Sequence, residues 1–229
     1  MTYLIMRYNR HQIATFIAII FHLVGLAGIM YFKSNWIIQS PPFNLLLMLA
    51  LLIWTQDNKN THFYLLIGTV FIIGLAIEIT GVNTGILFGN YSYGDKLGPL
   101  IYGVPWIIGL NWFIIIYCCG ITIHTVIAQL LTTTAAVNSK KIKALSIIID
   151  SATLAAFFDW VMEPVANRLG YWTWGGAGNI PIYNYVCWFI ISAGLIALFQ
   201  LFPIHKKNKF AVHLLLIQLM FFLLLRVFL

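Results

Sequence analysis

Carboxyl groups are scarce in this sequence, and their positions suggest proton-transfer chemistry. Only 6 of the 229 residues are acidic, and Glu78, Asp150, Asp159 and Glu163 lie within or at the end of an apolar run. A carboxyl group inside a membrane is energetically costly, so a functional role is its default interpretation. Asp159 and Glu163 are four residues apart and would share one face of a helix. Two carboxylates there would repel each other, so we expect one to keep its proton at neutral pH and act as an acid beside a base.

A purely structural interpretation of this pair is the alternative. Hydrogen bonds from Arg168 or from asparagine side chains would then satisfy both carboxyl groups. Pro164 also disfavours helical geometry for Glu163, the residue before it, which weakens the argument from spacing. Asp150 precedes Asp159 by nine residues, about half a turn out of phase, so we expect it least of all in the site.

Aromatic side chains are dense around these acids. Since aromatic faces stabilise cations, an acid, a base and aromatic walls suit the protonation of an alkene and the stabilisation of the resulting carbocation. A site inside a membrane implies a lipid-soluble polyene or isoprenoid as substrate. The aromatic residues concerned are Tyr91, Tyr93, Trp106, Trp112, Trp160, Tyr171, Trp172, Trp174, Tyr183, Tyr185 and Trp188.

The rest of the chain has the composition of a membrane protein. It is 61% hydrophobic and 8% charged, with a mean hydropathy of +0.91. A membrane helix needs about 20 apolar residues. The sequence has six such runs, Ile13 to Phe32, Phe63 to Thr80, Pro105 to Leu131, Ala144 to Val161, Pro181 to Phe202 and Phe210 to Leu229, and a shorter one, Phe43 to Thr55. We therefore predict an all-α integral membrane protein, a bundle of about seven transmembrane helices forming a single transmembrane domain over residues 1–229.

The basic residues predict the orientation of these spans. Cytoplasmic loops of membrane proteins are enriched in lysine and arginine. With seven spans, one side holds Arg7, Arg10, Lys59, Lys140, Lys141, Lys143, Lys206, Lys207 and Lys209, and the other holds Lys33, Lys96, Arg168 and Arg226. We therefore expect a multi-pass protein of the inner (cytoplasmic) membrane with its N-terminus cytoplasmic and its C-terminus external. The net charge of +7 then reflects topology, and no nucleic-acid partner is expected.

A weak internal repeat links spans three and four with spans five and six. Each copy has an acid, a glycine, two aromatic residues one residue apart, a proline, and a tryptophan seven residues after the proline. Parallel repeats in membrane proteins often place a site at the interface between them. The first copy reads Glu78, Gly89, Tyr91, Tyr93, Pro105, Trp112, and the second reads Glu163, Gly170, Trp172, Trp174, Pro181, Trp188.

Metal and disulfide chemistry are not indicated. The histidines are scattered without the spaced pairs that membrane metal enzymes use, so we expect no metal. Cys118 and Cys119 are adjacent within one span, and Cys187 lies in another, which gives no disulfide framework.

Together, these motifs resemble the carotenoid biosynthesis family that includes the CruF-type carotenoid hydratases. The resemblance covers about the middle half of the chain. It depends on Glu78, Gly89-Asn-Tyr91-Ser-Tyr93, Gly98-Pro99, Gly103-Val-Pro105, Trp112, Asp159-x-x-x-Glu163-Pro164, Gly170-x-Trp172-x-Trp174 and Pro181-x-x-Asn184-x-x-x-Trp188.

The resemblance implies hydration of an acyclic (ψ) carotenoid end group without a cofactor. Water would add across the terminal C=C of a substrate of the lycopene or γ-carotene type, leaving a tertiary alcohol. We expect Glu78, Asp159 and Glu163 to supply the proton donor and the base that orients water. The sequence does not distinguish which carboxyl group has which role. Asn184 would hold the water, and the cation would be lined by Tyr91, Tyr93, Trp112, Trp172, Trp174 and Trp188.

Other functions of a membrane protein would require other sequence features. A carotenoid cyclase shares the protonation step, but the Pro-x-Glu-Glu element of membrane lycopene cyclases is missing. A prenyltransferase would need an Asp-rich diphosphate motif, and a retinal protein would need a lysine at mid-depth in the last span; neither is found. A transporter or a carotenoid-binding membrane protein without catalytic activity remains an alternative.

Overall fold

A computed structural model describes residues 9–133, 140–176 and 178–229. Of the predicted cytoplasmic cations, Arg7 lies outside these residues, as does the side chain of Lys140. The elements are α1 (Arg10–Met30), α2 (Asn35–Ile38), α3 (Pro41–Thr55), α4 (Thr61–Thr84), β1 (Tyr91–Tyr93), β2 (Leu100–Ile101), β3 (Val104–Pro105), α5 (Ile107–Thr133), α6 (Lys140–Leu169), β4 (Trp172–Trp174), α7 (Ile182–Leu201) and α8 (Lys209–Phe228).

Six helices, α1 and α4 to α8, are long and apolar enough to cross a membrane, so the predicted all-α, multi-pass architecture is confirmed. α3 has 15 residues and a length of about 22 Å, shorter than the hydrocarbon core. Its C-terminal end lies beside the start of α1, because Asp57, which follows α3, pairs with Arg10. Which side of a membrane each end faces stays a prediction.

The bundle has α5 at its centre. This helix is the most buried of the six and packs against α3, α4, α6, α7 and α8. α4 continues to Thr84, past its predicted end at Thr80, and α5 begins at Ile107 because Pro105 belongs to β3. Pro181 directly precedes α7, as predicted, and occupies its N-cap.

One end of the bundle, which we call the carboxylate end, holds Glu78, Glu163 and the strands β1 and β4. The opposite end is held by a buried polar cluster. Asn208 caps the start of α8 and donates to Thr55 Oγ1 at 3.2 Å, while the Tyr117 hydroxyl donates to Gln56. Gln56 in turn donates to the His205 carbonyl at 2.8 Å. Because buried polar groups need partners, this cluster holds α3, α5 and the start of α8 in one arrangement.

Pro164 lies inside α6, and the helix continues through it to Leu169. The expected bias of Pro164 against helical geometry at Glu163 is therefore overridden, and Asp159 and Glu163 lie four residues apart on one continuous helix. A proline has no N–H for the carbonyl four residues earlier, here that of Trp160. Arg226 of α8 replaces this donor, since its Nη1 lies 2.6 Å from Trp160 O and its guanidinium stacks on the Trp160 ring at 3.9 Å. Tertiary contact thus stabilises a helix that local preference would interrupt.

Candidate active site

A short antiparallel sheet at the carboxylate end joins the two halves of the predicted repeat. Both α4 and α6 end at a glycine with positive φ, Gly85 and Gly170, seven residues after their glutamates. The chain then turns into β1 and β4. In the register of this sheet, Tyr91 pairs with Trp174, Ser92 with Thr173 and Tyr93 with Trp172.

Glu78 accepts three hydrogen bonds. Its Oε2 accepts from the hydroxyls of Tyr91 at 2.6 Å and Tyr93 at 2.8 Å, and its Oε1 accepts from Trp112 Nε1 at 2.9 Å. Burial, followed by the neighbouring Glu78 carboxylate, raises the pKa of both tyrosines well above the ordinary value. Both phenols therefore keep their protons and remain donors throughout the physiological pH range.

Glu163 also accepts hydrogen bonds from aromatic side chains, here from two indole N–H groups. Its Oε2 accepts from Trp172 Nε1 at 2.9 Å and from Trp174 Nε1 at 3.0 Å. Its Oε1 accepts no hydrogen bond from the residues that the structure describes. Arg168, a partner suggested by the structural interpretation of this pair, donates none of these bonds, and the donors to this carboxyl group among the described residues are the two indoles of β4.

Asp159 is fully buried, one helical turn before Glu163. Its Oδ2 accepts from Asn184 Nδ2 at 2.7 Å, while its Oδ1 is buried with no hydrogen-bond partner among the described atoms. An unpaired buried oxygen is destabilising and calls for an explanation. Because Asp159 lines a small cavity at this end of the bundle, a water or a substrate bound there is the candidate partner for this oxygen.

Trp112 and Trp188 stack face to face, with ring centroids 4.0 Å apart and an interplanar angle of 11°. Trp112 is completely buried. This aromatic pair joins α5 to α7 beside Glu78, to which Trp112 donates.

The three carboxyl groups line one small cavity of about 20 Å³, enough for one water molecule. Of the predicted site residues, the structure brings nine to its wall: Glu78, Tyr91, Tyr93, Asp159, Glu163, Trp172, Trp174, Asn184 and Trp188. Trp112 lies behind the wall, bonded to Glu78. Asp150 is exposed on the membrane-spanning surface of α6, away from this group.

Sequence reasoning missed four lining residues, Phe88, Ile108, Asn111 and Met162. The sequence could have indicated Asn111, because a polar side chain inside an apolar span is a candidate functional residue. The other three are apolar residues in apolar surroundings, so no sequence pattern distinguishes them. Among the described residues, no group of three or more His, Cys, Asp or Glu has an arrangement that could hold a metal ion.

Comparison with known proteins gives two matches. The family model described as carotenoid biosynthesis protein matches residues 41–229, a wider stretch than the motifs indicated, and confirms the predicted family. A bisanhydrobacterioruberin hydratase of Haloarcula japonica is 26% identical over 127 residues, 54% of this chain and 40% of that protein. This chain thus matches well under two thirds of the relative's length. No solved structure matches it.

Proposed function

Because this chain belongs to the carotenoid biosynthesis protein family, we propose that it is a carotenoid hydratase of the 1,2 type, which adds water across the terminal C=C of an acyclic (ψ) end group. The observation that carries the proposal is the unpaired Oδ1 of Asp159, a residue that lines a cavity with room for one water molecule. The name of the Haloarcula relative supports a hydration.

In the first step, Asp159 acts as the acid. Protonated on Oδ1, it gives its proton to the less substituted carbon of the double bond, and the tertiary carbon becomes a cation. Asn184 donates to Oδ2, which directs the acidic proton to the other oxygen, toward the cavity. The rings of Trp172, Trp174 and Trp188 face the same cavity and stabilise the cation.

In the second step, water attacks the tertiary carbon. Glu163 is the base, because its Oε1 is free to accept a proton from the water while Oε2 is held by two indoles. The water oxygen bonds to carbon and one water proton goes to Glu163, which leaves the tertiary alcohol. Residues four apart on a helix are neighbours, so this proton returns to Asp159 and no net proton is consumed.

The size of the cavity supports water as the second reactant. It holds one water, whereas a ligand the size of benzene needs several times more room. Side chains must therefore move when the end group enters. A carotenoid of the lycopene or γ-carotene type would keep its polyene in membrane lipid while its tip enters at the carboxylate end.

The proposed location is the inner (cytoplasmic) membrane with the carboxylate end external. Water reaches the site from that side, and the loops with most lysines and arginines remain cytoplasmic.

The test is hydration in water labelled with ¹⁸O. Membranes containing the protein are incubated with lycopene or γ-carotene, and the products are analysed by mass spectrometry. A hydratase gives a labelled hydroxyl group, a cyclase gives an isomer of unchanged mass, and a carotenoid-binding protein without catalytic activity leaves the substrate unaltered. Either of the last two results refutes the proposal.

The matched variants are Asp159→Asn and Glu163→Gln, with Ser151→Ala as control. Ser151 is fully buried on α6 like Asp159, and its hydroxyl has no partner among the described residues. We expect the two carboxyl variants to lose labelled product by a factor of about 10² or more, and the control to keep it. Hydration that persists in both carboxyl variants contradicts the mechanism.

A further inference from the structure

The site is built from two copies of one unit related by a local two-fold axis. Ser92 pairs with Thr173, its counterpart in the other copy, and their hydroxyl groups lie 3.3 Å apart. The bond from Gly94 N to Tyr171 O, 2.9 Å, has its mate in the bond from Gly175 N to Asn90 O, 2.8 Å.

The side chains repeat this symmetry. Two aromatic donors from β1 bond Oε2 of Glu78, and two aromatic donors from β4 bond Oε2 of Glu163. Trp112 stacks on its counterpart Trp188. Since both glutamates stand near the same end of the bundle, the axis runs along the helices, as in parallel membrane repeats.

The symmetry breaks first at one pair of positions. Four residues before Glu163 stands Asp159, and its partner Asn184 stands four residues before Trp188. The corresponding residues of the first copy are Gly74 and Ile108. A Cβ on Gly74 would lie 2.6 Å from Trp112 Cβ, so a side chain there would have to displace Trp112. Glu78 is therefore the carboxyl group of the first copy at the cavity, and this copy has no counterpart of Asp159 or of Asn184.

The symmetry breaks again at the glutamates. Trp112 Nε1 bonds Oε1 of Glu78 at 2.9 Å, whereas Oε1 of Glu163 has no such bond from Trp188 or any other described residue. Both oxygens of Glu78 are thus occupied by donors, and one oxygen of Glu163 is free. A carboxylate is a pure acceptor, and three donors suit its ionised form.

We infer that Glu78 is the counterion of the carbocation, and that proton transfer belongs to the second copy alone. This inference rests on the proposed hydration. Glu78 lines the cavity and presents a negative charge in a site of low dielectric, where a fixed charge stabilises a developing cation far more than it would in water. Its three donors keep the carboxylate in place and lower its tendency to bond to the cation.

The test measures the binding of a charged mimic of the intermediate. The probe is an isoprenoid amine with a dimethylammonium nitrogen at the position of the tertiary carbon, and its neutral partner has a CH group there. Binding of each to the full chain in lipid nanodiscs is followed by tryptophan fluorescence, which requires no turnover. The variants are Glu78→Gln and its matched counterpart in the second copy, Glu163→Gln.

For Glu78→Gln we expect amine binding and the hydration rate to fall by the same factor, about 10². Binding of the neutral probe stays unchanged, which also shows that the variant is folded. For Glu163→Gln we expect the rate to fall by a much larger factor than amine binding. This split separates a charge that stabilises the cation from a base that removes a proton.

Three results overturn the inference. In the first, the Glu78→Gln variant binds the amine as well as the unmodified protein does. In the second, the variant binds both probes more weakly by the same factor. In the third, the hydration rate falls far more than amine binding, which would make Glu78 an acid or a base. If the unmodified protein makes no labelled alcohol, the proposed function fails, while the comparison of the two probes still decides whether Glu78 binds a cation.

Discussion

The contact between Arg226 and Trp160 predicts a measurable coupling between α8 and α6. Pro164 leaves the Trp160 carbonyl without its helical donor, and Arg226 supplies a charged one at 2.6 Å. Such a bond contributes about 1.5–3 kcal/mol. The guanidinium lies 3.9 Å from the centre of the Trp160 ring, a cation–π contact that contributes about 0.5–2 kcal/mol.

Arg226→Met should therefore lower the free energy of unfolding by about 2–5 kcal/mol. In a Pro164→Ala background the new N–H can bond the Trp160 carbonyl, so the same change should remove only the cation–π contribution, about 0.5–2 kcal/mol. The difference, about 1.5–3 kcal/mol, is the coupling energy of a double-mutant cycle.

The assay is unfolding by sodium dodecyl sulfate in mixed micelles, followed by far-ultraviolet circular dichroism for the parent, both single variants and the double variant. Val227→Met is the control, because Val227 is 73% exposed beside Arg226 and should change stability by less than about 0.5 kcal/mol. Equal losses from Arg226→Met in both backgrounds would refute the idea that Arg226 replaces the bond missing at Pro164.

Two further predictions concern the site. Gly74→Ala should reduce hydration at least tenfold and lower the free energy of unfolding by about 1–3 kcal/mol, because the added Cβ would displace Trp112. Gly68→Ala, on the same helix, has open space around the added Cβ, so it should keep its activity and raise the free energy of unfolding by about 0.5–1 kcal/mol. Similar product yields and unfolding midpoints for the two variants would contradict the contact between position 74 and Trp112. Tyr93→Phe should lower the hydration rate about tenfold, and by the same factor at pH 6 and pH 9, because the raised pKa of Tyr93 keeps its phenol protonated at both. A factor that differs between the two pH values would show that the phenol titrates in this range.

Much of the architecture is visible in the sequence, because lipid imposes simple rules. A helix that crosses a hydrocarbon core must be apolar over about 20 residues, so the six long helices can be found by counting. The repeated order of acid, aromatic residues, proline and tryptophan also predicts that the two halves correspond. The structure agrees, since β1 and β4 pair with each other.

Local rules fail at Pro164 for a physical reason. The residue before a proline prefers an extended backbone to a helical one, and this preference is a small local effect. The sequence around Glu163 does not reveal the donor that replaces the missing hydrogen bond to the Trp160 carbonyl. That donor comes from Arg226, 66 residues away from Trp160 in the sequence. Only the packing of α8 on α6 brings it there.

Residue types and spacing by themselves determined a multi-pass helical bundle and indicated three carboxyl groups with aromatic neighbours, and the resemblance of these motifs to a known family indicated carotenoid biosynthesis. Only the tertiary structure decided how the three carboxyl groups differ. Trp112 donates to Glu78 across 34 residues of sequence, and Asn184 donates to Asp159 across 25. Within the part of the chain that the structure describes, both oxygens of Glu78 accept hydrogen bonds, while one oxygen of Asp159 and one of Glu163 accept none. Side chains of one type acquire different chemistry through the donors that surround them, and those donors come from distant parts of the chain, so no local pattern records them.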